Sequence, residues 1–459
     1  MLLQPKGVAV FRRILIANRG EVAARVARTA RRMGVEVVAV ASTVDRDAGW
    51  LELADTVVTL GLPRAAQSYL DQDALIAVGL HHRCSAVHPG WGFLAENDAF
   101  ATRCEAAGLS FIGPAGPLMR QMADKANARQ TMQRLGLPGI PGSEGTLGSV
   151  EEAREVADAL GYPVLLKAVA GGGGRGMRAV EAPEQLVGAW NAASSESLSA
   201  FGDGRLYLER RIDGGRHVEV QIIADRYGKV LHLGERECSM QRRHQKVLEE
   251  ARSPGISPAE RDRILPLVAD VVAQTGYVGA GTVEMLVDAD GHAWFMEMNT
   301  RLQVEHPVTE AITGVDLVEL QLRIAAGEKM PLEQEDIGFD GHAIECRINA
   351  EDPDNDFRPC PGRIDRLALP TGEGIRVDTH LQTGDRISPY YDSMIAKVIT
   401  HGSDRAEAIA RMTQALAALE VQGVKTNIGL HQRILAWERF RSGQYHTRSL
   451  ELGLAGGEL

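Results

Sequence analysis

Cysteine is scarce and scattered. Cys84, Cys104, Cys238, Cys346 and Cys360 are five in number, and no two form a CxxC pair. That pattern argues against a disulfide framework or a zinc site and fits a reducing cytoplasm. Long apolar runs are also missing, so no membrane-spanning helix is expected. The opening residues, MLLQPKGVAVFRRILIANRG, lack the basic-then-apolar pattern of a secretory signal. An excess of positive charge is absent too. Lys and Arg number 50 against 61 Asp and Glu, a formal net charge of −11. That balance argues against a general nucleic-acid or membrane-surface binder, while local basic pockets stay open. What is there is ordinary globular composition, 44% hydrophobic and 24% charged. A chain of 459 residues then predicts about three domains or subdomains, at roughly 150 residues each.

The stretch that organises the rest is Gly281 to Glu310, GTVEMLVDADGHAWFMEMNTRLQVEHPVTE. Two strand-like runs flank Asp288-Ala289-Asp290-Gly291, a β-hairpin pattern. A turn of two or four residues sets Glu284 opposite Phe295 and puts Glu297 and Asn299 on the side of Glu284. A three-residue turn sends the two glutamates to opposite faces. Met285, Leu286, Trp294 and Met296 supply apolar packing. Two carboxylates on one face repel unless a cation lies between them. Hard oxygen ligands plus an Asn suit Mg²⁺ bound together with substrate phosphates. A solvated hairpin edge followed by a polar loop, Arg301 to His306, accounts for the same residues, and both readings stay open at this point.

Upstream, RILIA (residues 13–17), a helical run over 21–33, a stop at Gly34 and a strand over 35–40 make a βαβ opening. Its turn, Asn18-Arg19-Gly20, has one glycine and no GxGxxG, so no dinucleotide site is expected. Further αβ alternation follows to Pro114. SAVHPGWG (residues 85–92) looks like a strand entering a Gly-rich loop, where open α/β sheets border ligand crevices; for His88 and Trp91 loop packing is the better expectation. A helical stretch over 114–137 carries Asp124-Lys125. A Gly- and Pro-rich linker over 136–148, a helix over 149–160 and a strand over 162–169 come next. Then GGGGRG (residues 171–176) joins that strand to another at 177–180. No GK[ST] is present, so this is not a P-loop. Glycines between two strands suit a mobile lid whose backbone N–H groups fold over phosphates, with Lys167 in reach of one. Strands are expected at 206–209 and 216–223. GERECSMQRRHQK (residues 234–246) reads as a solvated basic face or, beside a metal site, an anion pocket. Helices over 261–275, 317–326 and 405–419 and strands over 341–350 and 390–400 complete the chain. In GHAIECRINA, Ile344, Cys346 and Ile348 face inward, while Glu345, Arg347 and Asn349 share the other face.

Four stretches in order, KAVAGGGGRGM, ERECSMQRRHQKVLEEARSPGI, EMNTRLQVEHPVTE and ECRINAEDP, resemble biotin carboxylase, the ATP-grasp component of biotin-dependent carboxylases. The resemblance runs from about Arg12 to the end. It implies an α/β chain, α+β in its ATP-grasp part. A pre-ATP-grasp Rossmann-like domain would span 1–115 and an ATP-grasp domain 116–345, with a mobile lid over about 139–212. A C-terminal biotin carboxylase cap would span 346–459. It implies ATP contacts by Lys125, Lys167, Gly173, Gly174, Glu209, Ile212, His217, Gln241 and His244, and Mg²⁺ or Mn²⁺ on Glu284, Glu297 and Asn299. It gives Lys246, Arg301, Gln303, Val304 and Arg347 bicarbonate or biotin, and makes Glu305 the base.

The implied activity is carboxylation of biotin through carboxyphosphate, the first half-reaction of a biotin-dependent carboxylase. An acetyl-CoA or acyl-CoA carboxylase of fatty acid biosynthesis is the first expectation, with propionyl-CoA, methylcrotonyl-CoA and pyruvate also open as acceptors because the transferase partner selects it. The implied partners are bicarbonate, a biotinylated carrier protein, carboxyltransferase subunits and a second copy in a homodimer, with neither nucleic acid nor membrane. The residues suit that chemistry. Bicarbonate is a poor electrophile, phosphoryl transfer needs positioning and charge neutralisation, and an always-charged planar Arg347 suits a biotin enolate. Three features depart from the family pattern. HPGWGF has Trp91 where Tyr is usual. Arg32 and Glu373 stand where an acidic and an aromatic residue serve the family's dimer contact. No Met-Lys-Met is present, so biotin is expected on another protein. A different ATP-grasp ligase that passes an acyl phosphate to an amine, or an inactive nucleotide-binding subunit, are the competing expectations. RRHQK and ECRIN argue against the first, and the filled charged positions against the second.

Overall fold

A parallel five-stranded sheet opens the chain, and an eight-stranded antiparallel sheet carries its centre and C-terminal part. A three-stranded sheet lies between them in sequence. This computed structural model describes residues 10–170 and 176–459. The expected nucleotide contacts Gly173 and Gly174, and most of the glycine run, lie outside the described residues.

The first sheet has the order β3-β2-β1-β4-β5, formed by β1 (Arg13–Ile16), β2 (Glu36–Ser42), β3 (Thr56–Gly61), β4 (Ala86–His88) and β5 (Ser110–Phe111). Its central strand is a short apolar run, as a parallel strand covered on both faces requires, and Ile14, Leu15 and Ile16 are fully buried. Helix α1 (Gly20–Arg32) follows β1, and Val22, Ala23, Val26, Ala27 and Ala30 on its inner side join the core with Ile14 and Ile16. Gly34, at φ 75°, ends the helix; its N–H bonds Arg31 O, and Val35 N–H returns to Ala30 O. The βαβ opening is therefore present. The helix expected over 114–137 is two helices, Gly116–Ala123 and Lys125–Arg134. Asp124 leaves helical geometry (φ −79°, ψ 102°) and its carboxylate caps the second helix through Asn127 N–H.

The small sheet has the order β7-β6-β8, from β6 (Val164–Ala168), β7 (Met177–Val180) and β8 (Leu206–Arg210). Val164, Leu166, Val180 and Leu208 pack on Ala153, Ala157 and Leu186. Alternation leaves Lys167, Tyr207 and Glu209 together on the other face.

The large sheet runs β13-β12-β9-β10-β11-β14, then Met394–Gly402 and Ile375–Thr379. Its first six strands in that order are β13 (Ala293–Asn299), β12 (Gly279–Val287), β9 (Arg216–Ala224), β10 (Val230–Arg242), β11 (Gln245–Ala251) and β14 (His342–Asn349). Val218, Val220, Val283, Met285 and Phe295 bury against Ile264, Val268 and Val271 of the helix Pro258–Gln274. Ile344, Cys346 and Ile348 bury with Val398 against Met412 and Leu416, as the alternation in β14 predicted. The run 234–246 is not a solvated face: Gly234 to Gln241 lie buried within β10, and Arg236 is fully buried. Only its tip, Arg243 to Gln245, is exposed.

Glu250 fastens the C-terminal segment to this sheet. It accepts from Arg405 Nε at 2.6 Å and Nη2 at 3.0 Å and from the Tyr445 hydroxyl, and pairs with His342 Nε2 at 2.8 Å. Burial alone would raise its carboxyl, but His342 and Arg405 hold it at about 2 against an ordinary 4.5. A depressed folded-state pKa stabilises above the unfolded value and is lost as pH falls through the folded one. The gap corresponds to about 3 kcal/mol. Glu250→Gln is therefore expected to lower the denaturation midpoint at pH 7, with the deficit shrinking as pH drops from about 4.5 towards 2. A deficit of equal size at pH 7 and pH 3 would show that Glu250 acts by shape alone.

Candidate active site

The polar face of the large sheet is built by strand alternation. Across neighbouring strands, Arg236, Glu219, Glu284 and Glu297 form one row, and Gln221, Thr282 and Asn299 the next. The hairpin register that places them differs from both sequence expectations. Asp288 N–H bonds His292 O, and Gly291, at φ 85°, closes a three-residue turn. Up to Met285, opposite Phe295, that turn would carry the two glutamates to opposite faces. A β-bulge between Glu284 and Met285 on one side and Phe295 and Glu297 on the other shifts the register by one residue. Glu284 therefore faces Glu297, not Phe295, and Thr282 faces Asn299.

These like charges are neutralised by cations from other elements. Lys246 Nζ, on β11, donates to Glu219 at 2.6 Å, Glu284 at 3.0 Å and Glu305 at 2.6 Å. Burial would strip its proton, but the surrounding acidic groups hold its pKa well above the usual value. Lys125 Nζ lies 2.7 Å from Glu297, and His217 Nε2 lies 3.2 Å from Glu284. Glu284 is thereby kept well below the carboxylate range: burial pushes it up, and Lys246 and His217 overcome that. His217 is raised, the cost of burial being outweighed chiefly by Glu284, and its Nδ1 meets Gln241 Nε2 at 2.8 Å. Glu284, Glu297 and Asn299 offer hard oxygen donors on one face, a set that fits Mg²⁺.

Glu305 is fully buried, with Lys246 on one oxygen and Arg347 Nη2 on the other at 2.8 Å. Despite burial, the Lys246, Arg347 and Arg236 charges hold it well below the usual range. In this arrangement it is an ionised carboxylate and a weak base. It can take a proton once those cations turn to an anionic ligand. Arg347 is fixed from three sides. Its Nε donates to Glu249 at 2.6 Å, and its carbonyl accepts from Asn427 Nδ2 at 2.9 Å and meets His431 Nε2 at 2.9 Å. Arg301 donates to Glu96 at 2.8 Å, Gln303 at 2.9 Å and Asn299 at 3.3 Å. Gln303 Nε2 is buried with no hydrogen-bond partner among the described residues, a donor left over for a ligand.

The remaining candidates are more dispersed. Lys167 pairs with Glu209 at 2.5 Å on the small sheet. Ile212 lies beside Gly215 in the segment leading into β9, with Leu286 also close to Gly215. His244 forms the exposed β10–β11 turn at φ 62°, and Val304 is buried with its carbonyl on Lys397 at 2.9 Å. His88 is buried, as packing predicted, and its Nδ1 accepts from Gly90 N–H. Trp91 Nε1 is buried without a partner among the described residues. Arg32 pairs within its own chain to Asp316, and Glu373 is 93% exposed.

Sequence reasoning missed Glu219, Arg236 and Glu249. Arg236 donates to Glu219 at 2.6 Å, Gln221 at 2.6 Å, Thr309 at 2.9 Å and Thr282 at 3.1 Å. The signal was in HVEVQ, whose polar members alternate onto one face of a buried strand.

Three family models cover most of the chain: "Biotin carboxylase, N-terminal domain" over 10–119, "Carbamoyl-phosphate synthase L chain, ATP binding domain" over 124–333, and "Biotin carboxylase C-terminal domain" over 345–452. Biotin carboxylase of Nostoc sp. is 51% identical over 437 residues, covering 95% of this chain and 98% of that one. The chain belongs to the biotin carboxylase family. Its relatives in that family serve different carboxylases. A pyruvate carboxylase subunit of Methanothermobacter thermautotrophicus is 47% identical, over 96% of this chain and 90% of the relative. Among solved structures, the biotin carboxylase domain dimer of Hydrogenobacter thermophilus 2-oxoglutarate carboxylase, in complex with MgADP, ADP and bicarbonate, superposes with a TM-score of 0.93 at 46% identity. It covers 96% of this chain and 98% of its own. The fold is thus the ATP-grasp biotin carboxylase fold, and the chain is a ligase of that family.

Proposed function

We propose that this ligase carboxylates biotin held on a separate carrier protein, using ATP and bicarbonate. The observation that carries the reading is the meeting of Lys246 and Arg347 on the two oxygens of Glu305. Two fixed cations and one carboxylate suit an anion that must lose a proton and then release CO₂. Lys246, Arg301 and the free Gln303 amide hold bicarbonate, with Val304 beside them. Glu305 takes its proton. A bicarbonate oxygen attacks the γ-phosphorus and the bond to ADP breaks, giving carboxyphosphate. Carboxyphosphate decomposes to CO₂ and phosphate, the phosphate takes the biotin N1 proton, and N1 attacks CO₂. Arg347 faces the enolate oxygen during that last step.

Lys125, Lys167, Glu209, Ile212, His217, Gln241 and His244 are assigned to ATP in this reading, as are Gly173 and Gly174, which lie outside the described residues. Glu284, Glu297 and Asn299 would hold Mg²⁺ or Mn²⁺, whose chemistry is to neutralise phosphate charge. The division into 1–115, 116–345 with a lid near 139–212, and 346–459 follows the same reading. So does a homodimer working with carboxyltransferase subunits in the cytoplasm. No helix among the described residues is long and apolar enough to cross a membrane, and the five cysteines are free. The carboxyltransferase partner selects the final acceptor, with acetyl-CoA or another acyl-CoA of fatty acid biosynthesis and pyruvate both compatible with this site. Co-purifying the partner subunits and assaying which acceptor they carboxylate identifies it.

Phosphate release should depend on bicarbonate and Mg²⁺ and rise with free biotin. The check is to omit each component in turn. Full ATP cleavage in degassed, bicarbonate-free buffer would refute the reading, and cleavage driven by an amine instead would point to another ATP-grasp ligase.

A further inference from the structure

Lys397 is a fully buried lysine in the mainly apolar strand MIAKVITHG. Its cross-strand neighbours are Arg347 on one side and Asp378 on the other. A lysine directly opposite an arginine is unfavourable in itself, and burying an ammonium is costly unless it is paired. The pairing is supplied from a distant part of the chain. Glu21, in the first turn of α1, places Oε1 3.1 Å from Nζ, and Asp378 stands 4.0 Å away. Glu345, on the same face of β14 as Arg347, is also fully buried and forms no hydrogen bond through either oxygen among the described residues. Lys397 makes one hydrogen bond to the main chain, donating to Val304 O at 2.9 Å. Val304 immediately precedes Glu305, the carboxylate that bridges Lys246 and Arg347.

We propose that Lys397, held by Glu21, is a positioning residue that fixes the Val304–Glu305 peptide and so aims the Glu305 carboxylate at bicarbonate. The ammonium, on the strand beside Arg347, bonds the carbonyl of the peptide that leads into Glu305. The turn just before α1 reaches the other loop of interest: Asn18 Nδ2 donates to Pro89 O at 2.6 Å and Trp91 O at 2.8 Å. The crossing contact is the one through Glu21, which reaches the Val304 carbonyl by way of Lys397. The inference rests on the proposed function for its catalytic consequence, but the anchoring itself does not.

The test compares wild type with Lys397→Met and with Glu21→Gln/Lys397→Met, the double variant removing the carboxylate that the single change would strand. The double variant should fold and bind MgATP with an affinity within about twofold of wild type. Losing a hydrogen bond from a charged donor corresponds to about 10–100-fold. Bicarbonate-dependent ATP cleavage should fall by that range with a raised bicarbonate KM. Hydrogen exchange at the Glu305 and His306 amides should accelerate, while exchange in β12 and β13 stays put. Exchange at Glu305 unchanged in the folded double variant refutes the anchoring, whatever the wild type does with bicarbonate. A wild-type bicarbonate KM with faster exchange, or ATP affinity lost in step with thermal stability, refutes the positioning role. Bicarbonate-independent ATP cleavage by the wild type would sink the proposed function and leave the exchange result to stand or fall alone.

Discussion

Arg347→Ala is expected to reduce carboxybiotin formation by about 10²–10³, the cost of removing a preorganised charge that meets a developing oxyanion. ATP cleavage should fall less. Without Arg347, Glu305 keeps Lys246 at 2.6 Å, so the groups that handle bicarbonate stay in place. Carboxyphosphate can still form and decompose, and the ratio of carboxybiotin made to ATP consumed should collapse. Glu305→Gln acts on the earlier step. It removes the proton acceptor and weakens what Lys246 and Arg347 share, so both products should fall together and their ratio should stay near wild type. Glu249 sharpens the comparison. Among the cations of the described residues it pairs only with Arg347, at Nε and Nη2, and it lies directly opposite Glu345 on the neighbouring strand. Burial raises its carboxyl to about 7 even against the Arg347 charge. Measuring both products for the two variants decides the case. If Arg347→Ala keeps the wild-type ratio, or loses ATP cleavage as fully as Glu305→Gln, Arg347 belongs to the first half-reaction.

The fold was legible wherever one face of an element is apolar. The βαβ opening and the inward face of β14 carry their periodicity in sequence, because burial on one side enforces it. The candidate site residues were reached by a different route: long polar motifs can be matched to a family, whereas their geometry cannot be read from spacing. The hairpin shows the limit. Ala289-Asp290-Gly291, between Asp288 and His292, makes the three-residue turn that should have separated Glu284 from Glu297, and a bulge near Met296 reunites them. Nothing local announces a bulge, since its cost is offset by contacts made from other strands. Charge in the interior was the other blind spot. Arg236 and Lys397 are each fully buried, and each is held by acids distant in sequence, Glu219 and Glu21. Composition assigns such charges to the surface. Only the pairing brought by the fold makes them tolerable inside, and a lone Lys within MIAKVIT was the visible hint.

Lys246→Met should cut turnover sharply and weaken the fold together, and the two effects can be separated. Its ammonium is the shared partner of Glu219, Glu284 and Glu305. Removing one member of a buried ion pair typically costs about 3–5 kcal/mol, because the stranded charge stays desolvated. Glu219 keeps Arg236 on its other oxygen, Glu284 keeps His217 and Glu305 keeps Arg347. The variant should therefore fold, with a clearly lower denaturation midpoint. Adding Glu219→Gln removes one of the three negative charges while the amide oxygen can still accept from Arg236, which the Glu305 charge also faces, so the double variant should regain part of the lost stability. The two changes share contacts, so they should not add. Activity should follow a different course. If Lys246 holds bicarbonate against the developing charge, its loss costs a further factor of about 10²–10³ in bicarbonate-dependent ATP cleavage that no charge balance restores. Recovery of turnover in step with stability would show that Lys246 only neutralises the carboxylates. Stability regained without turnover would place it on the substrate.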